Sequence, residues 1–147
     1  VQQAAKNISD VQVRATYAYQ PYRFDAYVNL NGDFSNKALT GVPENNLLLL
    51  ADMEIRQKWL LQNTVQYTDR IPLNDANTEF SDAFWVMNIK LTYRWIKSQT
   101  GIDFFAGADN LTNRHYSLGD DINAAGGRYY NLAPGRMWYG GAKFRWK

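Results

Sequence analysis

The last segment of the chain alternates strictly between apolar and polar side chains, and this alternation most constrains the fold. From Met137 to Lys147, one face of an extended strand carries Trp138, Gly140, Ala142, Phe144 and Trp146, and the other carries Tyr139, Lys143 and Arg145. A soluble protein seldom ends on a strand whose core face needs two tryptophans and a phenylalanine beside charged terminal residues. Strands of outer-membrane β-barrels often do, because their aromatic side chains face lipid at the membrane boundary. The segment therefore predicts a membrane-facing strand.

Composition excludes several other classes of protein. Although 46% of the residues are hydrophobic, the longest run without a polar residue is Leu47–Ala51, far below the roughly 18 residues of a spanning helix. The near balance of 16 basic and 14 acidic residues predicts no nucleic-acid partner. The absence of cysteine excludes disulfides and thiolate metal sites. Because the chain starts at Val1 without a basic and apolar leader, we expect any signal peptide to lie upstream or to have been removed.

Period-two alternation predicts seven strands and no helix. The predicted strands are Val11–Tyr19, Phe24–Asn31, Leu47–Ile55, Trp59–Tyr67, Ala83–Trp95, Ile102–Asn110 and Met137–Lys147. The connections alternate in length. The short ones are Gln20–Tyr22, Arg56–Lys58 and Lys97–Gly101, and the long polar ones are Gly32–Asn46, Asp69–Asp82 and Leu111–Gly135. This order is typical of transmembrane β-barrels, which have tight periplasmic turns and longer outer loops.

Three motifs follow one another in the last third of the chain. They are Asn110–Tyr116 (NLTNRHY), Pro134–Arg136 (PGR) and Gly141–Trp146 (GAKFRW). In this order they resemble the C-terminus of a TonB-dependent outer-membrane receptor. The last motif also resembles the signal that the barrel-insertion machinery recognises, in which Gly141 is followed three and five residues later by Phe144 and Trp146.

The resemblance implies an all-β fold, an antiparallel up-and-down transmembrane β-barrel segment of about seven strands from a larger, 22-stranded barrel. The barrels of this family enclose an N-terminal plug domain. An odd number of strands also leaves an open edge, because bacterial single-chain barrels close with an even number. We therefore expect residues 1–147 to be the C-terminal part of the barrel, with the plug and the earlier strands outside this chain.

The resemblance also implies that the protein is not an enzyme. It implies neither a resident cofactor nor a metal site of the protein's own. Such receptors take up a scarce nutrient across the outer membrane of a Gram-negative bacterium, most often a ferric siderophore and less often haem, cobalamin or a glycan. The implied partners are membrane lipid, the rest of the barrel and its plug, a TonB-type energy-coupling protein of the inner membrane acting through the plug, the barrel-assembly machinery and a small-molecule metal chelate.

Two other classes of protein have a similar strand pattern. A small independent outer-membrane barrel, either adhesin-like or an enzyme such as an acyl hydrolase, would need one more strand, and the enzyme would also need an intramembrane catalytic group. A soluble lipocalin-like barrel is disfavoured, because its aromatic face would point inward and its loops would be of similar length at both ends.

Alternation also assigns individual side chains. The residues expected to face the lumen are Arg14, Lys90, Arg94, Lys143 and Arg145, and those expected to face lipid are Tyr17, Val28, Leu91 and Phe144. In the outer loop Ser117–Ala133, Arg128 supplies a cation beside Tyr129 and Tyr130. A cation and two aromatic faces suit an anionic metal chelate, so we predict these three as ligand-binding residues.

Other polar groups favour plainer interpretations. His115 is the only histidine, and a loop histidine beside the motif is the simpler interpretation. Asp120 and Asp121 beside Asn123 offer the oxygens that a hard cation prefers, but they also suit a solvated loop. Ser81 and Asp82 could combine with His115 only in a hydrolase-like trio, whose spacing lacks a nucleophile elbow. We therefore predict neither a catalytic site nor a metal site.

Overall fold

The computed structural model describes residues 8–97 and 99–146. Its strands are β1 (Ile8–Tyr19), β2 (Val28–Asn29), β3 (Gly32–Asp33), β4 (Asn45–Ile55), β5 (Trp59–Thr68), β6 (Ile71–Pro72), β7 (Phe80–Ser81), β8 (Phe84–Lys97), β9 (Thr100–Asp109), β10 (Ser117–Asp120), β11 (Tyr130–Leu132) and β12 (Met137–Trp146). A single 3-10 turn spans Ala125–Gly127. Among the described residues, no helix is long and apolar enough to cross a membrane.

Six long strands form one antiparallel sheet in the order β1-β4-β5-β8-β9-β12. Each strand pairs with the next long strand of the chain, so the sheet is an up-and-down meander. Within the described part of the chain, β1 and β12 each pair on one side only and the sheet does not close. The expected all-β antiparallel fold is confirmed. Strand β12 ends at Trp146, and Lys147 lies outside the described residues.

The predicted strand Phe24–Asn31 is wrong, so the sheet has six strands rather than seven. Only Val28–Asn29 is extended there, and it pairs with Gly32–Asp33 in a small hairpin. The aromatic residues of this segment pack locally instead, whereas Val28 and Leu30 are exposed. The ring of Tyr27 lies 4.9 Å from that of Phe24 and 5.5 Å from that of Phe34, measured between centroids. In a strand Phe24 and Tyr27 would lie on opposite faces, but here their rings pack against each other in an aromatic cluster within the loop.

Because residues 24–31 do not form a strand, one predicted connection changes. The remaining connections still alternate between long and short. The predicted short turn at Gln20–Tyr22 is wrong, because these residues begin a long connection that leads directly from β1 to β4. The three long loops, residues 20–44, 69–83 and 110–136, now lie at one end of the sheet, which we call the loop end. The β4–β5 and β8–β9 connections are tight and lie at the other end, the turn end. Ser98, in the second of these, is outside the described residues.

The two faces of the sheet differ in chemistry. Directly opposed residues share a face, and along each strand the faces alternate. One face, the polar face, carries Arg14, Asp52, Gln62, Thr64, Lys90 and Asp103, whereas the other, the apolar face, carries Val13, Leu49, Val65, Met87, Ile89 and Phe144. Leu48 and Leu50 of β4 are apolar residues on the polar face, opposite Gln66 and Thr64.

Candidate binding site at the loop end

The three long loops pack onto the polar face where the strands end. Phe84 and Thr68, which oppose each other on this face, are both buried. Tyr116 of loop 110–136 stacks on Phe84 with ring centroids 4.7 Å apart. Leu73 of loop 69–83 has no exposed surface at all. The loops therefore form a packed cap over this end of the sheet.

Asp75 joins all three loops through its carboxylate. Thr40 Oγ1 donates a 2.6 Å hydrogen bond to Asp75 Oδ1, and Asn123 Nδ2 donates a 3.0 Å bond to the same oxygen. Tyr27 Oη donates to Oδ2 at 3.3 Å. The hydrogen bond from Thr40 lowers the pKa of Asp75 below its usual value, and those from Asn123 and Tyr27 add to this against the opposing effect of burial. The ionised carboxylate is the form that accepts all three bonds.

A second set of bonds fixes the same loops. The Ala38 amide donates to Asn77 Oδ1 at 2.7 Å, and Asn77 Nδ2 donates back to the Ala38 carbonyl at 3.0 Å. Asn77 has a φ of 54°, a left-handed conformation that asparagine tolerates better than most residues. The Asn123 amide donates to the Leu73 carbonyl at 2.8 Å. Loops 20–44, 69–83 and 110–136 are thus held in one arrangement, as a binding surface requires.

A cavity of about 430 Å³ opens beside Asp75. Its lining residues are Tyr27, Asn29, Asn31, Phe34, Asn74, Asp75, Ala76, Asn123, Ala124 and Tyr129. Three aromatic rings and several amide groups therefore surround one carboxylate, without a basic side chain among the lining residues. Such a lining suits a ligand with hydroxyl or amide groups and flat apolar faces.

The predicted ligand-binding residues are distributed over different places. Tyr129 lines the cavity beside Asp75. Tyr130 lines a separate cavity of about 210 Å³, and its hydroxyl donates to the Phe80 carbonyl at 3.1 Å. Burial, with nearby carboxylates, raises the pKa of Tyr130. Arg128 is exposed and lines neither cavity. The two tyrosine rings meet edge to face at 6.4 Å.

The hydrolase-like trio is brought together without being connected. Ser81, Asp82 and His115 all line the 210 Å³ cavity. Within the described residues, no hydrogen bond joins these three side chains to one another.

The acidic pair in loop 110–136 does not form a metal cage. Asn123 is bonded to Asp75 rather than turned toward Asp120 and Asp121. One oxygen of Asp120, Oδ1, is buried without a hydrogen-bond partner. Over residues 8–97 and 99–146, no group of three or more histidine, cysteine, aspartate or glutamate side chains could hold a metal ion.

All five predicted lumen-facing cations lie on the polar face. Three of them contact a neighbouring strand, or in the case of Arg94 reach across β5 to β4, through ion pairs, and a fourth contacts a ring on the next strand. Three of these contacts are ion pairs: Arg14 with Asp52 at 3.6 Å, Arg94 with Glu54 at 3.3 Å and Arg145 with Asp103 at 2.6 Å. The fourth, Lys90, places its Nζ 4.8 Å from the centre of the Phe105 ring. The fifth, Lys143, is directly opposite Asp103.

The residues predicted to face lipid lie mostly on the apolar face. Tyr17, Leu91 and Phe144 are there and exposed. Val28 is not, because it belongs to the small hairpin in loop 20–44. In the predicted assembly motif, Phe144 and Trp146 project from the apolar face. Gly141 is on the polar face under the Phe105 ring, where an added Cβ would lie 2.7 Å from Phe105 Cζ.

Aromatic side chains on the apolar face form two rows with aliphatic residues between them. The row near the loop end contains Tyr17, Tyr67 and Trp85, and the row near the turn end contains Trp59, Tyr93 and Phe104. Along β8 the rows are separated by the interval from Trp85 to Tyr93, which at ~3.4 Å per residue is about 27 Å. In a barrel whose strands are tilted by ~40°, this distance corresponds to about 21 Å along the barrel axis, close to the ~25 Å apolar band of outer-membrane barrels.

Two solved structures similar to this chain are a siderophore receptor and a ferric preacinetobactin receptor. The chain superposes on the siderophore receptor PiuA from Acinetobacter baumannii with a TM-score of 0.73 and 15% identity, covering 93% of this chain and 20% of that one. It superposes on BauA, the ferric preacinetobactin receptor from the same species, with a TM-score of 0.70 and 18% identity, covering 90% and 19%. No family model matches the chain.

These likenesses establish the fold. The chain has the fold of one segment of a receptor β-barrel and spans about a fifth of the length of the receptors it matches. The resemblance predicted from the C-terminal motifs is confirmed at this level, and it extends over nearly the whole chain rather than its last third.

Proposed function

We propose that this chain forms part of the wall of an outer-membrane receptor that imports a ferric siderophore. In this proposal residues 1–147 are the C-terminal part of the barrel, and a plug and the earlier strands complete it. The main support for this proposal is that the apolar face has two aromatic rows on either side of an aliphatic band, in a sheet with the fold of siderophore receptors. The apolar face would contact lipid and the polar face the lumen.

The loop end would face the outside of the cell and contribute to the ligand site. Asp75 and its partners hold the three loops together, so the cavity lined by Tyr27, Phe34 and Tyr129 is a preformed surface. The ligand would stack on these rings. Arg128 and Tyr130, exposed on the same loop, would contact a larger chelate from the side.

Release of the ligand into the periplasm would need energy that this segment does not supply. A TonB-type protein of the inner membrane would act on the plug, while the wall stays fixed. The cross-strand ion pairs of the polar face support this static role, since Arg14–Asp52 and Arg145–Asp103 tie neighbouring strands at opposite edges of the sheet.

A small independent barrel is the alternative. It would require β1 and β12 to pair with each other. In the described residues these strands are the two free edges of an open sheet, and unpaired amide groups are not tolerated in lipid. The observations therefore favour a wall segment completed by further strands.

The proposal is tested by iron uptake in a strain that lacks the gene for the receptor containing this chain. Complementation should restore uptake of ⁵⁵Fe supplied with at least one class of siderophore, and the uptake should require TonB. An Arg128→Ala, Tyr130→Ala double variant and a Tyr129→Ala variant should weaken binding without lowering the amount of inserted receptor. Restored growth without iron uptake, or uptake independent of TonB, would refute the proposal.

A further inference from the structure

A shallow apolar groove crosses the apolar face near the β12 edge of the sheet. It has a volume of about 570 Å³ and is lined by Gly107, Tyr139 and six further residues, which are Leu61, Ile89, Leu91, Ala106, Trp138 and Gly140. All six belong to the face that would contact lipid, and they come from four adjacent strands. The groove is separate from the loop-end cavities described above.

Small residues create the groove. Leu61 opposes Leu91, Leu91 opposes Ala106 and Ala106 opposes Gly140 in one cross-strand row. The row therefore descends from two leucines to a methyl group and then to no side chain. Trp138, two residues from Gly140, stands at the loop-end side and is 71% exposed. A depression therefore lies between the leucines and the tryptophan.

A fixed cation lies at the loop-end side of this groove. The Arg136 guanidinium carbon is 5.8 Å from the centre of the Trp138 ring, and Arg136 Nη1 donates to the Leu111 carbonyl at 3.3 Å. The Arg136 amide donates to Asn113 Oδ1 at 2.9 Å, which holds the backbone in place. Arg136 is exposed, so its remaining N–H groups can donate hydrogen bonds to an anion. A charged group thus stands where an apolar groove reaches the membrane boundary.

We propose that the groove binds one acyl chain of an anionic membrane lipid, whose phosphate pairs with Arg136. Charge complementarity favours this occupant, because a lipid presents its phosphate at the level of the aromatic row and its chain below. The inference rests on the proposed function in one respect, namely that the apolar face contacts lipid.

The test uses the intact receptor that contains this chain, purified in detergent and titrated with phosphatidylglycerol and with phosphatidylcholine of the same acyl chains. Native mass spectrometry would count bound lipids. One phosphatidylglycerol should bind more tightly than the others and more tightly than phosphatidylcholine. Arg136→Gln removes the charge, and Ala106→Leu fills the groove. Arg136→Gln should weaken that first binding step about tenfold, the size expected for one charge-assisted contact. Ala106→Leu should weaken the same step by excluding the acyl chain.

Two control variants have the same chemistry at other places. Arg23→Gln removes an exposed arginine that also bonds a backbone carbonyl, that of Asn36, in loop 20–44. Ala142→Leu enlarges an exposed alanine on the same face of β12 but outside the groove. Both should bind phosphatidylglycerol like the parent protein. Heat-dependent migration on gels would verify that all variants are folded.

Several results would overturn the inference. These are equal binding of the two lipids, equal losses in the controls, or a stable dimer whose formation Ala106→Leu abolishes. Binding of the ferric chelate is measured in parallel on the same samples. Unchanged chelate binding with lost lipid specificity would reject the lipid site alone, whereas absent chelate binding with intact lipid specificity would reject the uptake function alone.

Discussion

Thr40 Oγ1 donates its hydrogen bond to Asp75 Oδ1 across 35 residues of sequence, at a distance of 2.6 Å. This bond ties loop 20–44 to loop 69–83, and Asn123 extends the link to loop 110–136. The strands position the ends of these loops, but contacts between side chains determine how the loops lie against each other.

Removing this hydroxyl should loosen the loop end. Thr40→Val keeps the side-chain shape but removes a donor to a charged acceptor, a contact of about 1.5–3 kcal/mol. We expect faster amide hydrogen exchange in residues 69–83 without loss of the inserted receptor. Thr100→Val is the matched control, because its hydroxyl donates to the Lys97 carbonyl at the turn end. Equal effects of the two variants on residues 69–83 would contradict the role of Thr40.

The same network should respond to acid. The folded-state pKa of Asp75 is lowered, chiefly by the hydrogen bond from Thr40. A lowered pKa means that the stabilisation is present above the pKa of the unfolded chain, about 3.9, and is lost as the pH falls through the folded-state pKa. Hydrogen exchange in the loop end, corrected for intrinsic rates, should be constant near neutral pH and rise below pH ~4. Asp75→Asn should remove this step.

Gly107 should not tolerate alanine. An added Cβ would lie 2.5 Å from Tyr139 Cζ and 2.7 Å from the Ile89 carbonyl oxygen, and the latter is backbone that cannot rotate away. Overpacking of this kind costs about 1–3 kcal/mol, so we expect less folded barrel and a lower urea midpoint. Gly119→Ala is the control, because nothing lies within 4 Å of its added Cβ. A Gly107→Ala receptor as stable as Gly119→Ala would refute the packing described.

The terminal aromatic should matter for assembly more than for transport. Trp146 is 81% exposed on the apolar face of β12, so Trp146→Ser removes a lipid-facing group and disrupts the predicted assembly motif. We expect unfolded protein in the periplasm and less inserted receptor, with the inserted fraction still binding its ligand. Lys143→Ser, on the polar face of the same strand, should insert normally. Normal levels of Trp146→Ser with lost uptake would argue against the motif.

Sequence periodicity predicted the wall of the sheet because the wall strands are long and alternate over most of their length, with Leu48 and Leu50 of β4 as exceptions. It failed at Phe24–Asn31, where Phe24, Tyr27 and Phe34 form a local aromatic cluster. Periodicity reports which residues are apolar, but it does not report whether their partners are lipid or each other.

The candidate site was less predictable than the wall. Its central residue, Asp75, lies in a polar segment, 74–77, that reads as an ordinary turn. Its partners Tyr27 and Asn123 are each 48 residues away, so no local pattern connects them. Tyr129 was predicted and lines the cavity, but the neighbouring Tyr130 lines another, because consecutive residues of an extended chain point in opposite directions.

Cysteine labelling at two adjacent positions tests the membrane topology most directly. The chain has no cysteine of its own, so single substitutions at Lys143 and Phe144 can be compared in intact outer membranes. A small, charged, thiol-reactive reagent in water should label Lys143→Cys through the lumen and leave Phe144→Cys unmodified in lipid. Labelling of Phe144→Cys as readily as Lys143→Cys would contradict the assignment of the apolar face to lipid, and with it the proposed receptor wall.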